Sequence, residues 1–109
     1  MPELDVPQTI AIHTRLKPGA EQAYEDAHAG IPAELLGALK DAGVRNWRIW
    51  RSGLELFHLV EVDDYQAMRL ALAEHPANVP WQERMAELLA VEDDYSGKDS
   101  GIPLVWELP

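Results

Sequence analysis

Asn46-Trp47-Arg48-Ile49-Trp50-Arg51-Ser52-Gly53-Leu54-Glu55-Leu56-Phe57-His58-Leu59-Val60-Glu61-Val62 is the stretch that decides the fold. Residues 46–51 read as a strand, Ser52-Gly53 as a tight turn, and Leu54 to Val62 as the returning strand, which predicts an antiparallel hairpin. Both strands carry large residues on both sides: Trp47 and Ile49 against Trp50, and Phe57 and Leu59 against Leu56 and Val60. If helices cover one face, the other needs a cover of its own. A second copy packed sheet to sheet is the simplest one, so the hairpin predicts a homodimer.

Upstream, Thr9 to Leu16 is a short run of β-formers that Lys17-Pro18-Gly19-Ala20 breaks. A helix is expected from about Ala20, with Ala20, Ala23, Tyr24, Ala27 and His28 on one stripe. Gly30 and Pro32 interrupt it. Ile31, Leu35, Leu36 and Leu39 resume a helical stripe that Gly43 ends in the manner of a C-cap. Downstream, Asp63-Asp64 caps a helix over Tyr65 to Glu74, and Pro76 breaks it. Trp81 to Ala90 forms another helix, with Met85, Leu88 and Leu89 inward. Asp93 to Gly101 is a polar, turn-forming loop, and Leu104-Val105-Trp106 a final strand. The order βα, ββ, αβ predicts an α+β ferredoxin-like split βαβ sandwich, one antiparallel sheet with helices on one face. The chain reads as a single domain over 1–109, with residues 1–8 as a flexible extension.

Composition narrows the function classes. At 109 residues with 47% hydrophobic content the chain can bury a core. A net charge of −10 would repel nucleic acid and anionic membranes, so no partner of either kind is expected. With no cysteine there is no disulfide framework and no thiol chemistry. The N-terminal residues lack the basic and apolar regions of a signal peptide, and no stretch reaches the ~20 apolar residues of a membrane helix. A cytoplasmic location is the expectation.

Tyr24 and His28 carry the chemical signal. Four residues apart on a helix, the phenol and imidazole share one face, one turn apart. Both can donate and accept protons, and histidine does so near neutral pH. Taken alone, such a histidine is more often a surface or core residue, and a tryptophan is more often core than ligand platform. His13 and His58 lie in strands where they could approach each other across the sheet. No spacing supplies a third ligand, so no metal is expected and both read as structural. His75, beside Pro76, reads as exposed at a helix end. Glu25-Asp26, Asp63-Asp64 and Glu92-Asp93-Asp94 read as solvated faces and caps.

The ordered set of landmarks is informative. Tyr24-x3-His28, Ile31-x2-Glu34-Leu35-x3-Leu39-Lys40, Gly43-x2-Asn46-Trp47-x-Ile49, Leu56-Phe57-x3-Glu61, Trp81-x3-Met85 and Trp106-Glu107-Leu108-Pro109 resemble the L-rhamnose mutarotase family from Thr9 onward. The resemblance implies a homodimeric ferredoxin-like fold of the dimeric α/β barrel kind. It also implies interconversion of the α and β anomers of a 6-deoxy sugar, L-rhamnose or a relative, with no cofactor. Position by position, His28 resembles the family's proton-donating histidine and Tyr24 its substrate-binding tyrosine. Trp47 stands where the family has an aromatic, usually tyrosine, and Trp81-Gln82 where it commonly has two tryptophans. Glu61 maps to a recurrent glutamate that could equally orient a pocket residue or lie on the surface. The family tends to read Ile-Trp-Pro-Glu where this chain reads Ile31-Pro32-Ala33-Glu34. Trp50 and Trp106 are expected in the core or dimer interface.

Two other readings fit the same scaffold. One is a cofactor-free monooxygenase or a haem- or ligand-binding dimeric α/β-barrel protein. The other is a non-catalytic small-molecule-binding module in which Tyr24 and His28 merely pack.

Overall fold

The decisive stretch forms its hairpin with the turn one residue later than expected. In the computed structural model, which describes residues 7–91 and 101–109, β2 (Val44–Ser52) pairs antiparallel with β3 (Glu55–Val62), and Ser52 faces Glu55. Gly53 and Leu54 are therefore the loop. Gly53 has a φ of 61°, the sign a type II′ turn needs at its first central position, and glycine adopts it without a Cβ clash. β1 (Gln8–Arg15) lines the other side of β3, also antiparallel, so the sheet order is β1-β3-β2.

Helices α1 (Glu21–His28) and α2 (Ala33–Asp41) fill the crossover from β1 to β2; α3 (Tyr65–Leu72) and α4 (Val79–Leu88) follow β3. Gly43, with φ of 96°, ends α2 as its sequence indicates. Asp64 caps α3 by accepting the Ala67 N–H at 3.0 Å. α4 starts before Trp81 because Pro80 falls in its first turn, where a missing N–H costs nothing.

Alternation along the strands sorts the side chains. Ile12, Leu56, His58, Val60 and Val62 are buried under the helices. A bulge at Arg45 lets both Val44 and Trp47 face the same way, opposite Val62 and Val60. The core then divides in two. Ile12, Val60 and Val62 pack with Ala38 of α2 and with Tyr65, Met68 and Leu72 of α3. Leu16 and Leu56 pack with Tyr24 and Ala27 of α1 and with Met85 and Leu89. Helix pairing matches this division, α1 against α4 and α2 against α3. Among the described residues, no helix is long and apolar enough to cross a membrane.

One antiparallel sheet with helices on one face is what forms, but the rest of the expected fold class needs correction. Among the described residues the sheet has three strands and is open, so it is neither the four-stranded ferredoxin-like sandwich nor a dimeric α/β barrel. Leu104-Val105-Trp106 does not make the final strand. Within residues 101–109, Ile102 alone bridges to β1, where its N–H donates to the Ala11 carbonyl at 2.7 Å. Gly101 is wedged so close to β1 that a Cβ there would lie 2.5 Å from Ile10 Cγ2. Pro103 then holds φ near −65°, away from the antiparallel value, and the ladder stops after one bridge. Trp50 and Trp106 are exposed in this chain, at 53% and 70%, and are not core. Of the extension expected over residues 1–8, residues 1–6 lie outside the described residues, as do residues 93–100 of the expected loop. Gln8 belongs to β1, and its side-chain carbonyl accepts the Tyr65 N–H at 2.7 Å.

Candidate active site

Above the sheet the helices leave a cleft of about 940 Å³, within the range of small-molecule sites. Residues of α1, α2 and α4 form its walls, and Thr14, Trp47, Ile49, Leu56 and His58 from the three strands form its floor. Tyr24, His28, Trp47, Trp81 and Gln82, the five residues singled out in the sequence, all border it.

The α1 wall is built on the expected i,i+4 pair. Tyr24 is buried, His28 half-buried, and their rings lie 4.2 Å apart between centroids at 35°. His28 Nδ1 lies 2.9 Å from the Tyr24 carbonyl oxygen. A carbonyl only accepts, so Nδ1 carries a proton and donates it to the helix. Any proton that His28 exchanges with a ligand therefore moves through Nε2. Trp81, on the first turn of α4, meets His28 edge to face with centroids 5.1 Å apart. This contact fixes the imidazole from the opposite wall. Gln82 beside it donates from Nε2 to Asn78 Oδ1 at 3.2 Å, and Asn78 in turn donates to the Leu72 carbonyl. At the rim, Arg51 of β2 donates to Glu25 of α1 at 2.6 Å and ties sheet to helix.

Trp47 stands on the floor, half-buried, with the Arg69 guanidinium 5.8 Å from its ring centroid. Its indole N–H donates to His58 Nδ1 at 3.1 Å. His58 Nε2 lies 2.9 Å from Thr14 Oγ1. Burial, reinforced by the positive charge of Arg69, pushes the His58 pKa down to about 4, so this ring is neutral at pH 7.

Thr14, and His58, which the sequence marked as structural, also border the cleft. The signal was present in the period of β3. His58 falls midway between Leu56 and Val60, which share the face the helices cover. The expected approach of His13 to His58 does not occur, because Ile12, not His13, is the register partner of His58. His13 points to the opposite face, pairs with Phe57 and contacts Glu55 at 2.6 Å. Alternation also turns Glu61 to that face, so it does not border the cleft. His75 is half-buried rather than exposed and accepts the Ala77 N–H at 3.0 Å. Among the described residues, no three His, Asp or Glu side chains gather to hold a metal ion.

Comparison with known proteins adds an independent line. A family model described as L-rhamnose mutarotase matches residues 9–108. The L-rhamnose mutarotase of Acidiphilium cryptum is 33% identical over 104 residues, covering 94% of this chain and 99% of its own length. That of Paraburkholderia xenovorans is 30% identical over 103 residues, covering 93% and 95%. Among solved structures, the L-rhamnose mutarotase of Formosa agariphila superposes with a TM-score of 0.74 at 26% identity, over 94% of this chain and 99% of that one.

Proposed function

The chain belongs to the L-rhamnose mutarotase family, an isomerase family, and from that premise we propose that it interconverts the α and β anomers of a 6-deoxy sugar such as L-rhamnose, with His28 as proton donor. The observation that carries this reading is the tethering of His28. With Nδ1–H donated to the Tyr24 carbonyl at 2.9 Å, proton exchange with a ligand in the cleft runs through Nε2.

Opening a pyranose ring needs a proton delivered to the ring oxygen and another removed from the anomeric hydroxyl. The C1–O5 bond then breaks, C1 becomes an aldehyde, rotation exposes its other face, and closure reverses both transfers. The net change is one of stereochemistry with no redox step, which an imidazole passing between its two protonation states can serve. His28 Nε2–H gives its proton to the ring oxygen and recovers one on closure, while water in the cleft takes the proton from the anomeric hydroxyl and returns one to C1–O on closure. Trp81 and Trp47 supply apolar faces for the C–H side of the sugar or its methyl group, while Tyr24 and Gln82 meet its hydroxyls. Glu61, facing away, takes no part.

The protein works as a homodimer in this reading. Trp50 and Phe57 lie exposed on the sheet face that carries no helix, and Val105, Trp106 and Leu108 are exposed beyond it. That apolar area calls for a second copy to cover it.

Saturation-transfer NMR on L-rhamnose measures anomer exchange directly. Wild-type protein is expected to accelerate it, and His28→Ala to lower that acceleration by about 10²- to 10⁴-fold, the usual worth of a general acid. An unchanged rate in the variant would remove His28 from the role. A wild-type protein without effect on any aldose would remove the function.

A further inference from the structure

The proton transfer proposed above makes no use of Thr14 and His58, which set polar groups on the cleft floor beside Ile49 and Leu56. His58 sits at the centre of the sheet between Ile12 and Ile49, its register partners on β1 and β2. Trp47 Nε1 approaches its Nδ1 at 3.1 Å, and Thr14 Oγ1 lies 2.9 Å from its Nε2. An indole N–H can only donate, so Nδ1 is the accepting nitrogen. The neutral ring then carries its proton on Nε2 and donates it to Thr14. Burial beside Arg69 keeps the ring neutral.

These identities fix a direction. Trp47 donates to His58 and His58 to Thr14, so Thr14 is an acceptor toward the sheet. The hydroxyl has one hydrogen, and it is not used on His58. Thr14 borders the cleft and is half-buried, so the next acceptor in line is an oxygen of whatever the cleft holds.

We propose that Thr14, oriented by Trp47 and His58, donates a hydrogen bond to one hydroxyl oxygen of the bound sugar and thereby selects sugars that carry a hydroxyl at that carbon. The inference rests on the sugar reading and deepens it. A site built to bond a hydroxyl discriminates strongly against an analogue lacking it, because the buried polar group is then left without its partner. His58 is a positioning residue here. It acts through Thr14, by holding one tautomer.

The test combines kinetics, binding and the tautomer itself. Thr14→Val keeps shape and β-branching but removes the hydroxyl. It is expected to raise the KM for L-rhamnose about tenfold, the worth of one hydrogen bond, with a much smaller fall in kcat than His28→Ala gives. Thr14→Ser restores most of the lost affinity. Across monodeoxy derivatives of the sugar, one is bound equally well by wild type and Thr14→Val, and it identifies the contacted carbon. A KM unmoved by Thr14→Val, or an equal loss for every derivative, overturns the proposal. The ring ¹⁵N correlation pattern of His58 reports the tautomer without any activity: a proton on Nε2 supports the proposal, and one on Nδ1 overturns it. If wild type binds sugar without turnover, mutarotation fails as a reading while the Kd of Thr14→Val still decides this one. Absence of sugar binding overturns both.

Discussion

His58 makes a measurable prediction about acid stability. In the unfolded chain its imidazole titrates near 6.5, and in the folded protein near 4. Between these values the unfolded state binds a proton that the folded state refuses, so stability rises with pH and falls on acidification. The loss begins as pH drops below 6.5 and levels off below 4. The shift corresponds to about 2 kcal/mol of stability lost by pH 5 and about 3 kcal/mol by pH 4. The structural cause is specific. A protonated ring would turn Nδ1 into a donor facing the Trp47 indole N–H 3.1 Å away, and would set a second buried cation beside Arg69, which is 1% exposed.

Urea unfolding of wild type and His58→Gln at pH 7 and pH 5 isolates the effect. Glutamine retains an acceptor for Trp47 and a donor for Thr14 but does not titrate. Whatever the substitution costs at pH 7 cancels when each protein is compared with itself, as do the carboxylates common to both. Wild type is expected to lose about 2 kcal/mol more than the variant across this interval. Parallel pH profiles would refute the buried neutral imidazole, and with it the donor direction along the cleft floor.

Two further outcomes probe other layers of the molecule. Met68, fully buried between α3 and the sheet, should cost about 2–5 kcal/mol when changed to Ala; a loss well under 1 kcal/mol by urea unfolding would mean that this cluster is loosely packed. Sedimentation should find wild type dimeric at micromolar concentration and Trp50→Glu shifted to monomer, because the substitution sets charge on the exposed sheet face; a monomeric wild type would refute the assembly.

What was legible in the sequence followed from short-range rules. The hairpin, the Asp64 cap, the Gly43 stop and the Tyr24–His28 spacing each depend on a few adjacent residues, and each appears in the fold. What failed depended on pairing at a distance. The final strand over 104–106 has the composition of a strand, but composition does not say whether an edge is free to receive it. Gly101 pressed against Ile10, with Pro103 following, ends the pairing, and the four-stranded sheet goes with it. The hairpin turn slipped by one residue because both Ser52-Gly53 and Gly53-Leu54 satisfy turn chemistry, and the register of β3 decides between them. The place of His58 on the cleft floor was hidden for a related reason. Its face was readable from alternation, yet its partners, Trp47 and Thr14, come from two other strands and meet only once the order β1-β3-β2 is known.

That strand order also explains why a cleft exists in so small a protein. Had residues 14, 47 and 58 been aliphatic, the two hydrophobic clusters could merge across β3 and the helix pairs could close over one continuous core. Instead, three polar groups sit at the seam: Trp47 and His58 are satisfied within the chain of bonds, and the Thr14 hydroxyl hydrogen is used on neither of them. Closing the helices over them would strand the Thr14 hydroxyl hydrogen away from water or ligand, at a cost of about 1–3 kcal/mol. An open seam leaves that hydrogen within reach of water or a ligand. The residues that line the floor where the helix pairs part are then the ones best placed to read what enters between them, which ties the shape of the cleft to its selectivity.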